Sequence, residues 1–288
     1  MQALISQITR CSLHDGPGIR SVVYLKGCNL RCQWCQNPES QSARIELLHR
    51  PDRCIQCGRC LSVCPHGCRT LSDGQIVWHR EQCQNCCQCA TVCPNEAIAI
   101  CGQSFSEQEV LTQVRKDRHY YASTGGGVTF SGGECLLQPR FVRAVADLCQ
   151  KDGIHTAVES AFCVPWSSIA TVMDAIDLFF ADIKHPDDAT HRRLTGQGNR
   201  LILDNIGRLS AVHQAIIIRI PLIPGVNDDP ESLTAIADII NSFGRGIRSV
   251  ELLRYNNLAE GKYRALGRPY HSFAEHPQDD QQESAGNQ

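Results

Sequence analysis

SVVYLKGCNLRCQWCQ, residues 21–36, joins two signals. Residues 21–27 form a strand-like run rich in β-branched and aromatic side chains. The rest carries three cysteines, Cys28-x3-Cys32-x2-Cys35, with Trp34 beside the last. A structural zinc or iron–sulfur site is ordinarily closed by four protein ligands. Three thiolates leave one coordination position open to a small molecule. The chain thus runs from a buried strand directly into an open metal site.

Outward from this stretch the pattern repeats. Strand-like runs follow at GVTF (127–130), IHTAVES (154–160), DLFFADIK (177–184), AIIIRIP (215–221) and IRSVELL (247–253). Several are nearly continuous apolar runs, as in parallel strands buried on both faces. Helix-like periodicity occupies 106–121, 138–151, 165–174, 199–213 and 230–243. Ser106 with Glu109 three residues later forms a capping box. Alternation of strand and helix predicts an α/β fold with a parallel sheet of six strands. An open (β/α)6 barrel and a doubly wound sheet both satisfy this pattern.

Composition narrows the function. Lys and Arg number 28 against 30 Asp and Glu, for a net charge of −2, and no basic stripe marks a nucleic-acid surface. No apolar run reaches the ~18 residues of a membrane span. MQALISQITR has no apolar signal core, so a cytoplasmic location is expected. Eighteen cysteines in such a chain, clustered at two- and three-residue intervals, point to metal or cluster binding in a reducing compartment rather than to disulfides.

Ten of those cysteines fall between residues 54 and 93. CIQCGRCLSVCP gives Cys54-x2-Cys57-x2-Cys60-x3-Cys64-Pro, and CQNCCQCATVCP gives Cys83-x2-Cys86-x2-Cys89-x3-Cys93-Pro. Each matches the bacterial ferredoxin run, whose fourth cysteine serves the other cluster. Cys54, Cys57, Cys60 and Cys93 are therefore assigned to one [4Fe–4S] cluster, and Cys83, Cys86, Cys89 and Cys64 to a second. Cys68 and Cys87 lie off the pattern and read as spare thiols.

The three-cysteine loop resembles that of the radical S-adenosylmethionine (SAM) superfamily. HDGPGIRSVVYLKGCNLRCQWCQNPES (14–40), YYASTGGGVTFSGGEC (120–135), DIKH (182–185) and RIPLIPGVND (219–228) resemble the glycyl radical enzyme activating enzymes. The resemblance implies a partial (β/α)6 radical SAM barrel at 1–48 and 102–268, interrupted by a ferredoxin-like bis-[4Fe–4S] domain at 49–101. A polar tail, 269–288, reads as disordered. It implies three [4Fe–4S] clusters, one of them on Cys28, Cys32 and Cys35, whose free iron takes SAM. One electron then cleaves SAM to methionine and an adenosyl radical, which takes a hydrogen from a backbone glycine of a partner enzyme. By position, Trp34, Cys35 and Gln36 fall on the adenine and ribose side of SAM. Gly132, Gly133 and Glu134 fall by its methionine amine. Glu159 and Ser160 fall where the family holds ribose or a monovalent cation. Asp182, Ile183 and Lys184 form the D-x-K element, with Arg219 on the next strand. Asp15 to Gly18 would form a loop near the substrate entrance.

Two departures stand out. In LLRYNNLAEGKY (252–263), Arg254 replaces a family Pro, and Asn256 replaces a His that faces SAM. The expected partners are a glycyl radical enzyme and a flavodoxin or ferredoxin-type reductant, with the chain a monomer and no nucleic acid or membrane involved. The alternatives are a radical SAM enzyme acting on another substrate and a ferredoxin-like carrier without catalysis.

Overall fold

The computed structural model describes residues 1–213 and 215–273. The chain opens with β1 (Gln2–Ser12) and β2 (Arg20–Leu25). The middle segment holds β3 (Glu46–His49), α1 (Arg59–Ser62), β4 (Arg69–Ser72), β5 (Gln75–Trp78), α2 (Gln88–Thr91) and β6 (Ile98–Cys101). Then come β7 (Gln103–Ser106), α3 (Glu107–Val114), α4 (Arg118–Thr124), β8 (Gly127–Gly132), α5 (Pro139–Lys151) and β9 (His155–Ser160). The chain continues with α6 (Trp166–Val172), β10 (Leu178–Asp182), α7 (Asp188–Thr195), α8 (Arg200–Val212), β11 (Ile216–Leu222), α9 (Pro230–Asn241), β12 (Ile247–Arg254) and α10 (Glu260–Leu266).

One eight-stranded sheet organises the molecule, in the order β12-β11-β10-β9-β8-β2-β1-β7. The six strands from β2 to β12 are mutually parallel, and β1 pairs antiparallel with β2 and β7. All six expected strands are present. Their spatial order follows their sequence order without reversal. A doubly wound sheet reverses at a switch point, so the singly wound, barrel-like reading is the correct one. Right-handed crossovers then keep the helices on one face. That face joins α3, α5, α6, α8 and α9 in the main core. The other face carries a small apolar floor of Ala157, Leu178, Phe180, Ala215 and Ile217. With the strands in register, their C-terminal ends form one rim: Leu25 lies opposite Gly132, Ala181 opposite Ser160, and Asp182 opposite Arg219.

The capping box at Ser106 is present. The helix expected over 106–121 breaks, however, into α3 and α4 around a tight turn at Arg115–Asp117. Asp117 is fully buried there, accepting from Arg10 Nε at 2.9 Å and Ser21 Oγ at 2.8 Å. Holding this carboxylate inside bends the chain out of the helix.

Of the expected tail, residues 269–273 are described and packed rather than loose. Tyr270 Oη lies 2.9 Å from Tyr255 Oη, and Phe273 meets the Trp34 ring edge-on at 6.0 Å. The rest of the tail lies outside the described residues. Among the described residues no helix is long and apolar enough to cross a membrane.

Candidate functional site

The loop after β2 is stitched to itself and to α7. Gly27 N–H donates to Ser40 at 2.7 Å and Cys28 N–H to Gln41 at 3.0 Å, while Arg31 and Gln33 donate to Thr195 and Leu194. This brings Cys28, Cys32 and Cys35 onto one side of a cavity of about 220 Å³ over the rim. With them stand Ser131 and Gly132 from β8 and Gly133 just after it, Glu159 and Ser160 from β9, and Asp182 at the end of β10 with Lys184 just beyond. Trp34 and Gln36 also line it. Active sites of (β/α) barrels sit at this end of the strands.

Gly132 and Gly133 are required by the protein's own packing. Gly132 has φ +114°, and a Cβ there would lie 2.3 Å from the Leu25 carbonyl oxygen. A Cβ on Gly133 would lie 2.3 Å from the Gly27 oxygen and 2.7 Å from that of Ser40. Either side chain would push away the loop that carries the cysteines. Gly133 N–H and Glu134 N–H already donate to Leu25 and Gly27. Gly132 and Gly133 therefore line the cavity with backbone alone.

The electrostatics favour a cationic centre. Burial raises the Cys28 thiol to about 11 and Cys32 to about 12, with the nearby Lys184 opposing both. Cys35 is raised by burial too, against hydrogen bonds to Asn37 and Gln41. Three such thiols become thiolates only beside a strong cation, as metal coordination provides. An iron–sulfur cube takes each thiolate on a separate iron. The donor set fits such a cube with one corner open.

Lys184 Nζ bonds Asp182 at 2.7 Å. Burial works against its charge, but Asp182 and the Cys32 and Cys28 sulfurs outweigh burial and hold the ammonium above its usual range. The pair is a polar wall of the cavity, not a surface ion pair.

Four residues expected at the site sit behind it. Glu134 is 1% exposed and turns inward, accepting from Ser160 Oγ at 2.8 Å, Ala161 N–H at 3.0 Å and Leu136 N–H at 3.1 Å. Burial nevertheless raises it to about 7. Ile183 is buried in the main core. Arg219 lies below the cavity, bonded to Glu159 at 2.6 Å, Glu251 at 2.8 Å and the His14 carbonyl at 3.1 Å, with its guanidinium over Phe180. Glu159 is thereby held between Arg219 and Ser131 Oγ, the latter at 2.5 Å. The Asn256 side chain caps a turn by accepting from Leu258 N–H, and its carbonyl accepts from Gln36 Nε2 at 2.9 Å. Asn256 thus reaches the cavity only through Gln36.

Sequence reasoning missed Ser131, whose position just before Gly132 at a strand end was a usable signal. It also missed α10, whose Lys262 binds Gln36 O at 2.9 Å, Asn37 Oδ1 at 2.8 Å and Glu39 at 2.8 Å, closing the loop from outside.

In the middle segment, Cys54, Cys57, Cys60 and Cys93 border one small cavity. Three come from the first run and one from the second. Cys64 and Cys83 both lie against Cys68. The backbone repeats at an interval of 29 residues: Gln56, Gly58 and Gly67 have φ of 54°, 73° and 60°, and Asn85, Cys87 and Glu96 have 53°, 65° and 50°.

Known proteins share both parts. The radical SAM superfamily profile matches residues 82–235, and a 4Fe-4S dicluster domain profile matches 46–94. The chain is 42% identical over 273 residues to the (2S)-3-sulfopropanediol dehydratase activating enzyme of Klebsiella oxytoca, covering 93% of this chain and 86% of that protein. It is 43% identical over 272 residues to the benzylsuccinate synthase activating enzyme of Thauera aromatica, covering 92% and 82%. The crystal structure of Streptococcus suis SuiB bound to precursor peptide SuiA aligns with a TM-score of 0.54 at 11% identity, over 89% of this chain and 43% of that one, a likeness of fold.

Proposed function

This chain belongs to the glycyl radical enzyme activating enzymes of the radical SAM superfamily, and from that membership we propose that it installs a radical on a backbone glycine of a partner enzyme. One observation carries the reading: three cysteines share a cavity with the ends of β8, β9 and β10. Bound there, a [4Fe–4S] cluster and SAM would supply one-electron reductive cleavage and the hydrogen-abstracting radical.

The chain's residues then bind, orient and exclude water. Cys28, Cys32 and Cys35 hold the cluster. Gly132 and Gly133 let the cysteine loop seat against β8 and would present backbone groups to the SAM methionine amine. Trp34 and Gln36 border the adenosyl side, with Asn256 steadying Gln36. Glu159 and Ser160 receive ribose or a monovalent cation, and Arg219 fixes Glu159. Glu134 braces Ser160 from behind. Asp182 and Lys184 complete the wall, with Ile183 anchoring the strand end between them in the core. No side chain acts as general base or nucleophile.

The finer organisation belongs to the same proposal. Residues 1–48 and 102–268 form the radical SAM core. Residues 49–101 form a ferredoxin-type insert with one cluster on Cys54, Cys57, Cys60 and Cys93 and another on Cys64, Cys83, Cys86 and Cys89. The insert passes electrons from a flavodoxin or ferredoxin-type reductant to the reactive cluster, and the chain works as a cytoplasmic monomer.

The test is anaerobic reconstitution with iron and sulfide. Three filled sites give about twelve irons per chain, four for each [4Fe–4S] cluster. Dithionite and SAM should then yield methionine and 5′-deoxyadenosine. A glycyl radical doublet should appear by electron paramagnetic resonance when the partner enzyme is added. A fully loaded protein that leaves SAM intact would reduce the chain to an electron carrier. SAM cleavage that never yields a glycyl radical on any such partner would favour another substrate.

A further inference from the structure

Arg69 opens β4 and is 4% exposed, yet its Nη1 and Nη2 have no hydrogen-bond partner. Its guanidinium lies over the Trp78 ring at 4.2 Å, and Arg80 covers the same ring at 3.8 Å. Two cations share one indole. Burying an unpaired charge is costly, and leaving its donors unbonded adds to the cost. Such an arrangement points to a missing anion.

The surroundings identify that anion. Arg69 borders the cavity of Cys54, Cys57, Cys60 and Cys93. Trp78, the ring that Arg69 covers, packs against the small core that holds Cys89 of the other set. Cys60 and Cys89 share one small core, so the two sets meet at this point. A [4Fe–4S] cube with four thiolates is an anion whose sulfurs accept N–H bonds, and reduction adds one more negative charge.

We propose that Arg69 bridges the two insert clusters, donating Nη1 and Nη2 to sulfurs of one and the other, and that its charge raises both reduction potentials. The inference rests on the two-cluster reading of residues 49–101. Potential depends on net charge, hydrogen bonds to sulfur and exposure. Arg69 acts on the first two and, with Trp78, on the third. By stabilising the reduced state of both cubes alike, it keeps them close in potential, as a relay requires.

The test uses the full chain with Cys28, Cys32 and Cys35 all changed to Ala, so that only the insert clusters report. Redox titration followed by electron paramagnetic resonance gives their midpoints. Arg69→Gln should lower both midpoints by at least 59 mV, a tenfold change in the one-electron equilibrium. Arg69→Lys, which keeps the charge, should stay nearer the parent. Unchanged midpoints at full iron content would overturn the proposal, as would a shift confined to one cluster. If Arg69→Gln loses iron while Arg69→Lys retains it, the clusters need the charge and the proposal stands. Iron loss from both variants would make Arg69 a packing residue for Trp78. A parent chain that binds no iron in the insert would instead sink the two-cluster reading itself.

Discussion

The loop Gly27–Gln41 and the middle segment each gather cysteines, but they rest on unequal supports. The loop is hydrogen-bonded to α7 and to strand ends whose other face feeds the main hydrophobic core. The middle segment has two two-stranded sheets, two one-turn helices and a core of Leu47, Cys60, Cys89 and Ile98. Half of that core is proposed ligand. The barrel frame exists through burial of apolar surface, and a metal centre there is a guest. The insert has little core of its own, so on the two-cluster proposal cluster binding and folding are one event in it.

The comparison breaks most visibly at Cys32. Cys32→Ala should abolish SAM cleavage and lower iron from about twelve to about eight per chain, since four irons leave with one cluster. Its far-ultraviolet circular dichroism should match the parent. Full iron content would contradict the ligand assignment, and lost secondary structure would make the barrel depend on its guest.

Changing Cys57 and Cys86 to Ala removes one ligand from each insert cluster. Limited proteolysis should then cut within residues 50–97 while the barrel stays intact. SAM cleavage driven by dithionite should survive, and turnover driven by flavodoxin should collapse. Normal flavodoxin-driven cleavage with failed partner activation would make the insert a docking element instead of a relay.

A smaller effect is expected at Glu134, which has three donors around it. Glu134→Gln turns amide hydrogens toward one of them and should destabilise the barrel by about 1–3 kcal/mol, the cost of an unsatisfied buried group. The carboxyl, about 7 when folded against an ordinary 4.5, binds its proton more tightly in the native state. Its contribution is therefore complete below pH 4.5 and lost as pH rises toward 7, by about 3 kcal/mol in all. Denaturant unfolding across that range should show the decline, and the Gln variant should lack it. A parent without this slope would mean the carboxylate is already stabilised by its three bonds.

The smallest effect separates the two halves of the insert. Cys87 occupies, at φ 65°, the place where the first half has Gly58 at 73°. Cys87→Gly should leave iron unchanged and raise stability by at most about 1 kcal/mol, because a left-handed backbone strains a non-glycine residue. Loss of iron would mean that Cys87 is a ligand after all.

What was legible in the sequence follows the same division. All six parallel strands were visible, because burial on both faces makes apolar runs that periodicity detects. β1 was not, since its pattern alternates weakly between apolar residues and Gln, Ser and Thr. The Asp-rich start of α7 and the short, charged α10 hid in polar composition. At the site, residues with distinctive spacing (Cys28, Cys32 and Cys35, Gly132–Gly133, Asp182 and Lys184) stand around one cavity. The inward turn of Glu134 and the descent of Arg219 below the cavity were not legible, because the sequence names a residue at a strand end without saying which way it faces.

The strands that carry the chain into and out of the insert, β3 and β6, are hydrogen-bonded to each other, with Glu46 opposite Cys101 and His49 opposite Ile98. The insert therefore begins and ends at a single doorway. Antiparallel partners can be joined by a two-residue hairpin turn, so residues 50–97 can be excised with His49 and Ile98 joined through an Asn-Gly link, leaving the register of the barrel untouched. Among the described residues, excision cuts the Arg80 bond to the Ala265 carbonyl, at 2.6 Å, the edge-on contact of Trp78 with His49, and the packing of Leu47 and Ile98 against Cys60 and Cys89. The segment is thus a detachable cassette, joined to the barrel at one point of the strand ladder.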